Sequence, residues 1–192
     1  MQQGETRHKH PHQRWGIAKT NGRMNLRQKF WIIGLLGAMT CGPVLAQEPG
    51  ERGSVTNLPI PRFVSMKASE GNLRRGPSLG HRIDWVLKRR NMPLQVIGEH
   101  GHWRRVRDRD GAAGWMHYAL LSGVRMVMIE EDMAPLRAKP AEDAIIKARA
   151  EMGVVAKLGD CTLDWCQISS GGQKGWTTKS VLWGVDPDEI RE

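Results

Sequence analysis

Beyond position 46 the residues whose types could make or break bonds are Cys161 and Cys166 and the histidines His81, His100, His102 and His117. A thiol nucleophile needs a base within hydrogen-bond reach. Here every one of these histidines precedes residue 124 and both cysteines follow it, in separate domains by the repeat described next, and no leftover segment is large enough to house a hydrolase fold. His100-x-His102 offers two imidazoles in a short turn without a third Cys, His or carboxylate at a diagnostic spacing, so these are expected to be surface histidines rather than metal ligands. The pattern predicts no catalytic residue, no metal site and no cofactor. Cys161 and Cys166 instead flank the loop Thr162-Leu163-Asp164-Trp165 and can face one another as the closing pair of a hairpin. That arrangement suits a disulfide in an oxidising compartment.

The elements that must position these residues occur twice. Trp103 to Gly123, WRRVRDRDGAAGWMHYALLSG, is echoed by Trp165 to Gly184, WCQISSGGQKGWTTKSVLWG. Both share a Trp, an aliphatic three positions on, a Gly-rich turn, Gly-Trp and a closing Leu-x-Gly. Each copy is expected to form a strand, a tight turn and a second strand beginning at Gly-Trp, because β-branched and aromatic residues flanking an Asp-Gly or Gly-Gly turn are a strong hairpin signal. The echo extends upstream, where Asn72-Leu73-Arg74-Arg75-Gly76-Pro77 matches Pro135-Leu136-Arg137-Ala138-Lys139-Pro140. A period near sixty is too long for a solenoid and fits two small complete domains. Further strands are expected at Phe63 to Ala68, Ile83 to Leu87, Leu94 to Ile97, Arg125 to Ile129, Ala144 to Ala148 and Val154 to Leu158. Ala-rich 140–152 has helix propensity, which the repeat overrides.

The runs Asn-Leu-Arg-x-Gly-Pro, Trp-Arg-x-Val-Arg-Asp, Gly-Trp and Leu-Leu-Ser-Gly in the first copy resemble the bacterial SH3-like domains exported by proteobacteria, particularly the tandem alphaproteobacterial kind. Leu-Arg-Ala-Lys-Pro, Cys-x4-Cys around Trp165 and the closing Leu-Trp-Gly-Val are similar to the second domain of such proteins. The resemblance implies an all-β fold of two tandem SH3-like β-barrels, at 63–123 and 124–187. It also implies a role as an attachment or recognition module, whose ligand the fold does not fix.

The N-terminal third reads differently. Residues 1–23 hold three His and five Lys or Arg without apolar periodicity, and so form an upstream mis-start or disordered leader. Residues 24–46 form a signal peptide, with Arg27 and Lys29 as its basic region, Phe30 to Met39 as its apolar region and Val44-Leu45-Ala46 as its cleavage site. The apolar run is too short to span a bilayer, so the mature chain is expected to start at Gln47 in the periplasm without a membrane span. Residues 47–62, with Pro49, Gly50, Gly53, Pro59 and Pro61, have the composition of a linker or edge-covering arm. Removing 1–46 takes away seven basic groups and one acidic, so the net charge of +9 falls to 22 − 19 = +3. Nucleic acid is therefore not implied as a partner. The charge is uneven: 63–123 has 11 − 5 = +6 and 124–192 has 9 − 12 = −3.

Trp103, Trp115, Trp165 and Trp176 recur in both copies and are expected to pack in the core or at the barrel rim, where large aromatics supply much of a small domain's buried area. Trp85 and Tyr118 occur in one copy only. With Arg74 and Arg75 they are the candidate ligand-binding residues, since aromatics and Arg dominate binding hot spots. The expected function is a non-catalytic periplasmic binding or scaffolding module recognising peptidoglycan or its peptides. An adaptor for an envelope protein and an enzyme of unrecognised type are the alternatives.

Overall fold

The computed structural model describes residues 50–192. The expected leader at 1–23, the signal peptide at 24–46 and the first residues of the arm, 47–49, lie outside the described residues. No helix among the described residues is long and apolar enough to cross a membrane.

The first repeat contains β1 (Arg62–Met66), β2 (Gly71–Arg74), β3 (Ile83–Leu87), β4 (Pro93–His100), β5 (Trp103–Arg107), β6 (Ala113–His117) and β7 (Leu121–Ser122). The second contains β8 (Met126–Ile129), β9 (Ala134–Arg137), β10 (Ile146–Ala150), β11 (Val155–Cys161), β12 (Trp165–Ser170), β13 (Gln173–Thr178) and β14 (Leu182–Trp183). Each set forms one seven-stranded sheet, ordered β3-β2-β6-β5-β4-β1-β7 and β10-β9-β13-β12-β11-β8-β14. Adding seven to each label of the first order reproduces the second, so the duplication read in the sequence is a duplication of topology. The chain is all-β, as expected. Strand β10 begins two residues later than its expected start at Ala144, because Ala138 and Ile145 close the preceding loop through a 2.9 Å hydrogen bond.

Side chains alternate across a strand, and the phase of that alternation takes the tryptophans out of the core, the first of the two places expected for them. Along β5 Trp103 is only half-buried while Arg104 and Val106 are buried; along β6 Trp115 is half-buried and Met116 fully buried. In the second repeat Trp165 and Trp176 are half-buried and their neighbours Cys166 and Thr177 take the interior places. All four tryptophans pack on the outer face, and the two cores are built from smaller side chains. Met66, Leu73, Leu94, Val96, Val106 and Met116 fill the first, and Val127, Ile129, Leu136, Leu158, Cys166 and Ile168 the second.

The Gly of each Gly-Trp has a steric reason. A Cβ on Gly114 would stand 2.8 Å from Leu73 Cβ, and one on Gly175 2.8 Å from Leu136 Cβ. The glycine lets β6 and β13 cross β2 and β9 at close range.

Each repeat carries a clasp at the same place. Glu99 pairs with Arg104 across β4 and β5, and Cys161 pairs with Cys166 across β11 and β12. The cysteines are joined at an S–S distance of 2.02 Å with a Cα separation of 4.1 Å. The segments flanking the two repeats dock at these same places. Residues 51–60 fold back onto Glu99, and Arg191 makes a two-way backbone bridge to Cys161.

The repeats meet through few residues. Phe63 on β1 packs edge-on against Trp183 on β14, with ring centroids 5.2 Å apart. Arg125, in the connection between repeats, lies 5.7 Å from the Phe63 ring centroid and pairs with Glu189 at 2.8 Å. Ser65 Oγ donates to the Val124 carbonyl at 2.8 Å, and Arg109 Nε to Glu130 at 3.1 Å.

Candidate binding surface

The exposed chemistry of the first repeat divides into two groups of residues, one on the β2–β3 hairpin and one at the far ends of β4, β5 and β6. The hairpin has a bulge at Asp84, because Leu73 pairs with Trp85 while Arg74 pairs with Ile83. A bulge bends a strand and re-aims its side chains. Strand β3 is exposed along Ile83, Asp84, Trp85 and Val86, and Trp85 is 56% exposed.

Arg74 turns one nitrogen of its guanidinium into its own loop. Its Nη1 donates to the carbonyls of Leu79 at 2.9 Å and His81 at 2.7 Å, so it shapes the loop between β2 and β3. Arg75 is exposed and shares Asp84 with Arg82, at 3.4 and 2.7 Å. The hydrogen bond from Arg82, with that from Arg75, holds the Asp84 carboxyl below the usual carboxylate range. Lys88, Arg89 and Arg90 follow directly and are exposed. With Arg74, the groups Arg75, Arg82, Lys88, Arg89 and Arg90 against Asp84 give residues 71–90 a net charge of 6 − 1 = +5.

Tyr118 belongs to the other group. Its ring lies 5.0 Å from that of His117 and 5.6 Å from that of His102, and Arg104 sits 5.9 Å from its centroid. His117 also packs edge-on against Trp103 at 5.5 Å, and His100 against Trp115 at 6.4 Å. The structure thus brings Arg75 and Trp85 onto one hairpin, gives Arg74 to the loop beside them, and places Tyr118 with the histidines. His117 was missed as a neighbour of His102 because the two are fifteen positions apart in the chain; the alignment of the Gly-Trp strand opposite Trp103 was the signal that could have found it.

Beneath Tyr118 runs a buried ionic centre that the sequence did not reveal. The side chain of Glu99 is wholly buried. It accepts from the amides of Val55 and Thr56 at 3.0 and 2.8 Å, from the Thr56 hydroxyl at 2.7 Å and from Arg62 at 2.7 Å, with Arg104 at 3.5 Å. Burial alone would raise its carboxyl; the hydrogen bonds from Thr56, Arg62 and Val55 outweigh burial and bring it down to about 2. Gly53 is required opposite it, because any Cβ there would strike the Glu99 carboxyl. A cavity of about 340 Å³ lies between this arm and β1, lined by Leu58, Arg62, Phe63, Arg104, Tyr118 and Leu121 among others. In the second repeat a cavity of about 520 Å³ beside the disulfide is lined by Cys161, Leu163, Trp176, Ile190 and Arg191 among others. Both cysteines of the described residues are tied in the disulfide.

A family model described as bacterial SH3 domain matches residues 67–123 and again residues 130–184. The chain has no match among curated proteins. Among solved structures it is similar to NlpC2 and NlpC1 from Trichomonas vaginalis, each at 13% identity and a TM-score of 0.31 over 64% of this chain. The match covers 48% and 45% of those two chains, so this chain spans about half the length of the solved structures it resembles.

Proposed function

Because the chain belongs to the bacterial SH3 domain family through both of its repeats, we propose that it is an exported, non-catalytic binding module whose first repeat recognises cell-wall peptidoglycan or its peptides. Domains of this family are typically cell-wall-binding modules and usually act outside the cytoplasm. The observation that carries the assignment to the first repeat is the exposed hairpin of Trp85, Arg75, Arg82 and Lys88 to Arg90, which has no counterpart of equal charge in the second repeat. Its field attracts anionic groups, and exposed aromatic and Arg side chains supply contact area.

Co-sedimentation of the chain from Gln47 onward with isolated sacculi tests this reading. Binding is expected to weaken as ionic strength rises past the point where the screening length reaches about 8 Å. Arg75→Ala with Arg89→Ala and Arg90→Ala should lower affinity at least tenfold with the melting temperature almost unchanged, since none of the three enters the core. Binding by this triple variant equal to that of the parent at every salt concentration would refute the role given to the first repeat. The export step has its own check in the intact mass of cellular protein prepared without reductant. The expected mass corresponds to Gln47 as first residue and two hydrogens fewer than the dithiol. An abundant form retaining residues 24–46, or one with two free thiols, contradicts it.

A further inference from the structure

Both sheets end in a strand that pairs on one side only among the described residues, β3 in the first repeat and β10 in the second. An open edge presents unpaired N–H and C=O groups and invites another strand, and folded proteins commonly blunt it with charged side chains. The second repeat does so. Strand β10 places Lys147 and Arg149 within the strand, tied to the carbonyls of Lys174 and Met133 at 3.1 Å each. The topologically equivalent β3 shares with β10 a bulge, at Asp84, but has no cation within the strand. Ile83, Trp85 and Val86 are 41%, 56% and 44% exposed, and the only charge within the strand is Asp84, which Arg82 and Arg75 neutralise. The cations stand instead at its two ends, Arg82 before it and Lys88, Arg89 and Arg90 after it.

This pattern selects the occupant. Two copies pairing antiparallel about Trp85 would set Arg82 opposite Lys88 at both ends, and like charges directly opposite are destabilising. A strand with a short apolar centre and carboxylates at both ends meets apolar with apolar and acid with base. From the open edge, the exposed apolar centre and the flanking cations we infer that β3 is a docking edge for an extended acidic polypeptide, which adds to the first sheet as an eighth strand. The inference rests on the first repeat being the recognition domain, and it names a protein segment as a partner distinct from the wall polymer. The main-chain hydrogen bonds supply affinity, and the charges at the two ends set the register.

The test uses a synthetic nonapeptide with a Val-Thr-Val-Thr-Val centre flanked on each side by two Glu, measured by fluorescence anisotropy against the chain from Gln47 onward. Binding is expected, with slowed exchange of the amides of residues 83–87. N-methylation of alternate peptide amides should abolish it, and replacing the flanking Glu by Lys should weaken it at least tenfold. Ile83→Lys with Val86→Lys puts cations within the strand, as β10 does, and should also reduce peptide binding at least tenfold. This variant leaves Trp85 and every basic residue of the hairpin in place and so retains sacculus binding, which separates this inference from the wall-binding reading. Equal binding of the N-methylated or the Lys-flanked peptide overturns strand addition, as does a parent chain that ignores the peptide. Capture by anionic phospholipid vesicles through Trp85 in place of the peptide overturns it in favour of a membrane surface, and a concentration-dependent dimer lost in the double Lys variant overturns it in favour of self-pairing.

Discussion

Glu99→Ala is expected to release the N-terminal arm and cost about 3 to 5 kcal/mol, the usual consequence of removing one partner from a buried ion pair. The substitution strands Arg62 and Arg104 without their shared carboxylate and leaves the amides of Val55 and Thr56 without an acceptor. For a unit of this size each kcal/mol moves the melting temperature by about 2 to 4 °C, so a fall of about 10 °C is anticipated. The discriminating measurement is amide exchange, because a change confined to stability would leave the arm as protected as its surroundings. Amides of Val55 and Thr56 that stay protected in the variant would show that the carboxylate does not hold the arm. The same group sets an acid limit. Its folded value of about 2 lies below the ordinary glutamate value of 4.5, so the stabilisation is fully present above pH of about 4.5 and is lost as pH falls towards 2. The shift corresponds to about 3 kcal/mol, reduced to about 2 by solvent screening where the arm meets water.

Met116→Ala should destabilise the first repeat by about 2 to 5 kcal/mol, whereas its neighbour Trp115→Ala should cost about 1. Met116 is fully buried against Gly71 and the core. Trp115 stands on the outer face between its register partners Arg74 and Arg105. Chemical denaturation of the two variants separates them. A Trp115→Ala variant less stable than Met116→Ala would mean that the outer face, and not the interior, carries the packing energy.

The reason Trp103 looked internal lies in its neighbours on β5 rather than in the tryptophan. In Trp103-Arg104-Arg105-Val106 the interior phase is occupied by Arg104 and Val106. A charged residue in the core phase conceals the alternation that would have assigned Trp103 to the other face. The second repeat shows the phase openly, since Cys166 and Ile168 are interior and apolar. The hairpins and the duplication were legible because local turn chemistry and spacing determine them. Arg74 and Glu99 were not, since a guanidinium that folds back on its own loop and a carboxylate that gathers residues over forty positions away leave no local signature. Trp85 reads as facing a ligand, but the exposure of Ile83 and Val86 beside it was hidden, because aliphatic residues in a strand suggest a covered one. Only the sheet order shows β3 to be terminal.

The matched positions of Glu99–Arg104 and Cys161–Cys166 give the two halves of the molecule different vulnerabilities. A thiol reductant removes the covalent clasp of the second half, worth about 2 kcal/mol for so short a loop, and leaves the carboxylate of the first untouched. Strong acid does the reverse, protonating Glu99 while the disulfide holds. The duplicated domain therefore answers to two independent properties of its surroundings, and a medium both acidic and reducing is the one that loosens both flanking segments together.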